Sequence, residues 1–275
     1  MKLSEIYKIA NELAPKTFSD AYCAAYNAYD NSGVLVDTGE DIHGVLFTLD
    51  LTFAAIDKAI ALGANLIITH HPAMYGKINH ARIDADDLTE RKMLKCIRNG
   101  ISVISMHLNL DCAPNGIDES LASGICDSAM AINPQEGVLT RCLSIMDKVE
   151  DAGYGRAYNV QETTLSALVA QMKTTFETNR ILVYGDGDKS IHRVASFCGA
   201  GADDKAVVFA KKEGVQAIVS SDFKHHVLTA AVESGLAVIV LTHYASENYG
   251  FKKYYKKIRQ QMEIPCEYHT DENLL

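Results

Sequence analysis

The sequence has no apolar run that could cross a bilayer; its longest, such as 236–241, fall far short of the ~20 residues a spanning helix needs. Its seven cysteines include no C-x-x-C pair, which excludes a four-cysteine structural zinc site. Seven is also odd, so free thiols in a reducing compartment are expected, several of them as small core residues. Positive charge is scarce: 26 Lys and Arg stand against 35 Asp and Glu, for a formal net charge of −9. That field repels a phosphate backbone and argues against a general nucleic-acid binder. Residues 1–16 place Glu5 and Glu12 among apolar side chains, which is an amphipathic helix rather than the unbroken core of a signal peptide. A soluble, cytoplasmic chain with no membrane partner is expected.

What is present is an ordinary globular mixture, 275 residues with 48% hydrophobic and 22% charged, enough for one large domain or two small ones. Short apolar runs alternate with helix-period segments, the pattern of an α/β protein with mostly parallel sheets. A strand at 44–49 leads to Asp50 and Thr52, both helix-cap candidates, and then to a helix at 53–62. Gly63 follows where a left-handed residue is expected, and 65–69 is apolar on both faces, as suits a strand buried between helices. The same grammar recurs: helix 87–99, Gly100, strand 101–105; helix 203–213, Gly214, strand 216–220; helix 225–234, Gly235, strand 237–241. The shared requirement of α/β turns accounts for this better than an internal duplication does. Residues 127–197 differ in texture, with LTRCLSIM as a strand candidate, a helix from Thr163 and strands at 180–184 and 194–198. The expected organisation is a discontinuous first α/β domain, 1–126 and 236–275, with a second α/β domain, 127–235, inserted into it.

Six of the ten histidines fall in four segments that directly follow apolar strands: IITHHP (His70, His71), ISMHLNLD (His107, Asp111), SSDFKHH (Asp222, His225, His226) and LTHYASE (His243, Glu247). In open parallel sheets functional groups gather just beyond the carboxyl ends of strands, so these segments point toward one cleft. Mixed imidazole and carboxylate suit zinc, manganese or iron better than calcium or magnesium. Each piece also has a plainer reading. One of His70 and His71 could be a hydrogen-bonded core residue, since neighbours on a strand face opposite ways. Asp111 could cap the helix beginning near Ile117, with His107 to Asp111 spanning a loop. Ser246 is a natural N-cap, which would put Glu247 in a first helical turn where a carboxylate is favoured anyway. Two other stretches are read structurally. Gly199 and Gly201 in FCGAGADD serve tight turning, because Asp203 and Asp204 would repel phosphate. The basic FKKYYKKIRQ is a solvated helical face anchored by Tyr254 and Tyr255.

In combination the motifs THHP, the H-x-N-L-D of His107 to Asp111, the S-D-x-K-x-H from Ser221 to His226, and H-Y-A-S-E from His243 to Glu247 resemble those of the Nif-three-like family. Its members are often labelled GTP cyclohydrolase one, type two homologues. DNSGVLV at 30–36 is similar to that family's early D-N-x-G-L segment, and HRVASFCGAGADD to its glycine-rich turn; the likeness covers nearly the whole chain. The resemblance implies a Nif-three-like fold, a two-metal site with ligands at His70, His71, Asp111, His243 and Glu247, and assembly into a toroidal homohexamer. Two positions depart from the pattern: Leu108 stands where Thr is common, and Ala28-Tyr29 where a Trp usually precedes Asp-Asn. Neither removes a ligand.

That ligand set predicts two divalent ions per subunit, zinc, iron or manganese, activating water as a nucleophile. Glu247 or Asp111 would bridge, and His107 and His226 would orient ligands or transfer protons. The leading expectation is thus a metal-dependent hydrolase of a small molecule. The alternative is a non-catalytic metal-binding assembly with a storage, insertion or regulatory role, and a third reading leaves the histidines as core polar groups.

Overall fold

The structure is a computed structural model that describes residues 1–76, 87–132 and 142–275. The chain forms two compact units, Met1–Ala113 with Phe251–Thr270, and Pro114–Gly250 with Asp271–Leu275. Among the described residues, no helix is long and apolar enough to cross a membrane.

The first unit opens with α1 (Leu3–Leu13) and α2 (Lys16–Tyr26). There follow β1 (Gly33–Val36), β2 (Val45–Thr48), α3 (Phe53–Leu62), β3 (Leu66–Thr69), α4 (Leu88–Arg98), β4 (Ser102–Ser105) and the short α5 (Leu108–Cys112). Thr52, not Asp50, is the N-cap of α3, its hydroxyl accepting from Ala55 N–H at 3.0 Å.

In the second unit lie α6 (Ile117–Ile132), β5 (Cys142–Val149), β6 (Ala152–Thr164), α7 (Leu165–Thr175), β7 (Leu182–Tyr184), β8 (Ser190–Ser196) and α8 (Asp204–Lys212). These lead on to β9 (Ala217–Ser220), α9 (His225–Glu233), β10 (Ala237–Val240) and α10 (His243–Arg259). From Phe251 onward α10 belongs to the first unit, which closes with β11 (Cys266–Tyr268). Of the strand expected in LTRCLSIM, residues 139–141 lie outside the described residues.

The first sheet has the order β1-β4-β3-β2-β11, with β4, β3, β2 and β11 parallel and β1 antiparallel at the edge. Its middle strands are buried at every position, which is why they read as unbroken apolar runs. Alternation divides them between two cores. Leu46, Ile67 and Val103, in register, join Ala55, Ile56 and Cys96 in one cluster. Phe47, one residue on, meets the aromatic side of α10, with its ring 5.1 Å from Tyr255 and 6.4 Å from Phe251.

The second sheet runs β5-β6-β8-β9-β10-β7; β8, β9 and β10 are parallel, and β5, β6 and β7 add antiparallel neighbours. Because β10 pairs with β9 and β7, residues 236–250 lie in the second unit, whereas the sequence placed them in the first domain. Likewise α6 packs on β6 and α7, which carries 114–126 into the second unit as well. Gly63, Gly100, Gly214 and Gly235 all take φ between +65° and +78°, the left-handed turn that the recurring helix–Gly–strand grammar requires. Cys96, Cys112, Cys126, Cys198 and Cys266 are free and buried, and Cys23 is free and half-buried. Burial pushes the Cys96 thiol up to about 12, in keeping with a small core residue.

Phe47→Ala is expected to cost about 3–5 kcal/mol, since it empties a fully enclosed site among aromatic rings. Ile60→Ala, on α3 but 41% exposed, should cost about 1 kcal/mol or less. Urea unfolding of the two variants beside the parent checks both figures.

Candidate metal centre

Adjacent parallel strands carry the polar groups of each unit to their carboxyl ends. In the first unit, Asp50 follows β2, His70 and His71 follow β3, and His107 follows β4. His70 is fully buried, and its Nδ1 lies 2.7 Å from the Met106 carbonyl oxygen. A carbonyl can only accept, so Nδ1 carries the proton and Nε2 holds the lone pair. His71 solves the alternation problem by leaving the strand: its Nδ1 lies 2.8 Å from Asp50 Oδ1, and its ring centroid is 5.0 Å from that of His70. His107 Nδ1 lies 2.8 Å from Asp30 Oδ1, and its ring sits 5.4 Å from His70 and 5.9 Å from His71.

Asp111 is buried in α5, with Oδ1 3.4 Å from His70 Nε2. His107 is the residue immediately before that helix, so the two are related by one helical turn and not by a loop. Asn109 ties α5 down by donating from Nδ2 to the Ala14 carbonyl at 2.8 Å. His70, His107 and Asp111 each offer a donor atom, all within 4.8 Å of one another.

Asp30 explains the DNSG segment. Burial raises its proton affinity, but hydrogen bonds from His107, Ser19 and Ser32 outweigh that and hold the carboxyl well below the ordinary carboxylate range. The Asp30 carboxylate in turn orients the His107 ring through Nδ1.

In the second unit, β8, β9 and β10 deliver Cys198 and Gly199, Asp222, and His243. His243 opens α10, its Nδ1 2.5 Å from Asp222 Oδ2 and its Nε2 3.1 Å from Glu247 Oε1 one turn later. Ser246 is therefore inside the helix rather than its N-cap; its hydroxyl donates to the His243 carbonyl at 2.8 Å and accepts from Gly199 N–H at 3.1 Å. Gly199 is more than a tight turn: φ is +52°, and a Cβ there would run into the Glu247 carboxylate and the His243 ring. His225 and His226 are exposed at the start of α9. His226 is exposed, with Nε2 3.6 Å from Asp204 Oδ2. The basic stretch of α10 keeps Tyr254 buried, its hydroxyl donating to the Ala10 carbonyl at 3.2 Å.

These donors fit a divalent transition metal. Two ligand atoms about 2.0–2.2 Å from one ion are separated by about 3.3–3.6 Å at a tetrahedral angle and about 3.0 Å at a right angle. The His70–Asp111 and His243–Glu247 separations, 3.4 and 3.1 Å, lie in that range. Each imidazole also has the carbonyl or carboxylate partner on Nδ1 that metal-binding histidines characteristically carry. Sequence reasoning passed over Asp30 and Asp50 in this role. The available signal was position: Asp50 and Asp222 each stand two residues beyond a strand end, opposite the histidine of a neighbouring strand.

The family model of Duf34/NIF3 (NGG1p interacting factor 3) matches residues 1–272. The chain belongs to this family. Among curated Duf34/NIF3 relatives, the GTP cyclohydrolase 1 type 2 homolog of Clostridium acetobutylicum is 30% identical over 251 residues, spanning 90% of this chain and 85% of that protein. The protein of the same description from Clostridium perfringens is 28% identical over 273 residues, 98% of this chain and 95% of its own. Solved structures confirm the fold. The Bacillus cereus protein related to NIF3 superposes with a TM-score of 0.75 at 20% identity, covering 98% of this chain and 97% of its own. Reduced HcgD from Methanocaldococcus jannaschii gives 0.74 at 23% identity over 98% and 97%.

Gly199→Ala is expected to displace Glu247 and to cost about 1–3 kcal/mol in backbone strain and overpacking. Gly214→Ala, also at positive φ but with open space around the added carbon, should cost only about 1 kcal/mol. Denaturation midpoints, with a crystal structure of the Gly199 variant, test the contrast.

Proposed function

We propose that this Duf34/NIF3 protein binds two divalent transition-metal ions, with His70, His71, Asp111, His243 and Glu247 as ligands, and hydrolyses a small molecule when loaded. The observation that carries this reading is the common orientation of the imidazoles. His70, His71 and His243 each engage a fixed acceptor through Nδ1, so Nε2 is the nitrogen that can bind a cation. A mixed set of imidazoles and carboxylates favours zinc, iron or manganese over the hard alkaline-earth ions.

Divalent ions so held supply Lewis acidity and acidify water beside them toward neutrality. The chain's own contribution is positional. Asp50 and Asp222 fix the rings of His71 and His243, and the Met106 carbonyl fixes His70. His107, with Nδ1 engaged by ionised Asp30, has Nε2 as its proton-accepting nitrogen, and its ring lies beside that of His70. The cyclohydrolase label carried by the curated relatives agrees with hydrolysis as the reaction class.

Calorimetric titration of the metal-free protein with zinc or manganese is expected to give two ions per chain. Asp50→Asn and Asp222→Asn should each weaken affinity by about 10–100-fold, the usual effect of removing such a partner. His70→Ala and Glu247→Gln should abolish stoichiometric uptake. Turnover of esters, phosphates or GTP by the loaded protein, lost in Asp111→Ala, supports catalysis. Full uptake with no turnover of any of them would instead leave a metal-holding assembly, and an absence of uptake by the parent would refute the reading.

A further inference from the structure

A buried ion pair of the second unit lies outside every motif considered so far. Asp118, in the first turn of α6, is fully buried, and its Oδ2 lies 3.0 Å from Arg156 Nε on β6. The same oxygen accepts from Gly155 N–H at 3.0 Å, while Oδ1 accepts from Cys198 N–H at 3.3 Å. Arg156 is held in turn by the Gly153 carbonyl, 3.1 Å from Nη2. A buried pair of this kind gains little stability over a well-packed apolar pair, so its worth lies in what it holds in place.

What it holds is the turn after β8. The Cys198 N–H rests on Asp118, and the Cys198 carbonyl accepts from the Tyr154 hydroxyl. The next residue is as fully engaged: Gly199 N–H donates to Ser246 Oγ at 3.1 Å, and its carbonyl accepts from Ser220 Oγ at 3.1 Å and Ser221 N–H at 3.2 Å. Ser246 also meets Ser221 Oγ at 3.0 Å, which couples α10 to the end of β9. The face of Gly199 where a side chain would stand is occupied by the Glu247 carboxylate and the His243 ring. A shift of this turn therefore moves into, or away from, two proposed donors.

We infer that Asp118, neutralised by Arg156, is a positioning residue: it sets the Cys198–Gly199 turn and through it the placement of Glu247 and His243. The inference rests on the metal-binding reading above for its consequence, but the placement itself is independent of any ion.

The test uses the full chain with cobalt(II) as the probe, because its visible absorption reports coordination geometry directly. Asp118→Asn is close in shape but leaves one acceptor oxygen for three donors. It is expected to raise the apparent Kd for cobalt by about 10–100-fold and to alter the band positions or intensities. Leu168→Ala, a buried α7 site outside this network, should lower the melting temperature yet leave the cobalt Kd within about two-fold and the spectrum unchanged. If Asp118→Asn does not fold, Asp118→Asn with Arg156→Met removes both charges and is expected to fold while still binding cobalt weakly. In metal-free protein, amide exchange at Cys198 and Gly199 should quicken in the Asp118 variant and not in the Leu168 variant. Parent-like cobalt affinity and spectrum in the Asp118 variant would overturn the inference, as would an equal loss of affinity in both variants at equal loss of stability. If the parent itself takes up no cobalt, the metal reading fails. Amide exchange then decides the positioning claim alone: selective quickening upholds it, and parallel rates sink it.

Discussion

An imidazole has two nitrogens, and a protein chooses which one meets a ligand by occupying the other. Among the described residues, four histidines have Nδ1 committed to an acceptor on another segment: a strand-end carbonyl for His70, and carboxylates for His71, His107 and His243. The acceptors come from neighbouring strands or from the segment before the sheet, so ring orientation depends on strand register. A slip of one residue would turn His70 away from Met106 and reverse both cores of the first sheet at once. Packing of Leu46, Ile67 and Val103 on one face and of Phe47 on the other therefore protects the site as directly as it protects the fold.

Burying acids is costly unless their charge is met, and the chain meets it in different ways. Asp30 accepts from two serines and a histidine, which keeps it ionised despite burial. Asp118 faces a guanidinium and two backbone N–H groups. Asp111 and Glu247 instead face histidine Nε2 atoms, an arrangement that is most favourable when a positive charge is present there. The contrast separates carboxylates that organise the scaffold from those proposed to bind cations.

Much of this was legible without coordinates because it is local. Helix-period apolar residues closed by Gly63, Gly214 and Gly235, followed by buried strands, come from short-range sterics and from a two-faced sheet, and the observed elements fall within a residue or two of their expected bounds. Positions of His70, His71, His107 and His243 beyond strand ends follow from the same local pattern. Less legible were helix starts that depend on polar partners. Ser246 has the chemistry of an N-cap, yet α10 begins three residues earlier, and its hydroxyl serves Gly199 instead. His226 shares a motif with Asp222, but α9 turns it outward to Asp204.

The sequence alone determined the alternation of helix and strand, the glycine turns, the free buried thiols among the described cysteines and the chemical type of the donors, since each depends on residues close in the chain or on composition. Tertiary structure decided which compact unit holds 236–250, which carboxylate meets which imidazole, and that Asp118 meets both Arg156 and the Cys198 N–H. Those are choices of strand pairing and side-chain reach across tens of residues, and no short-range rule encodes them. Asp30 and His107 are 77 positions apart in the chain yet in hydrogen-bond contact at 2.8 Å only because β4 and the segment before β1 lie side by side.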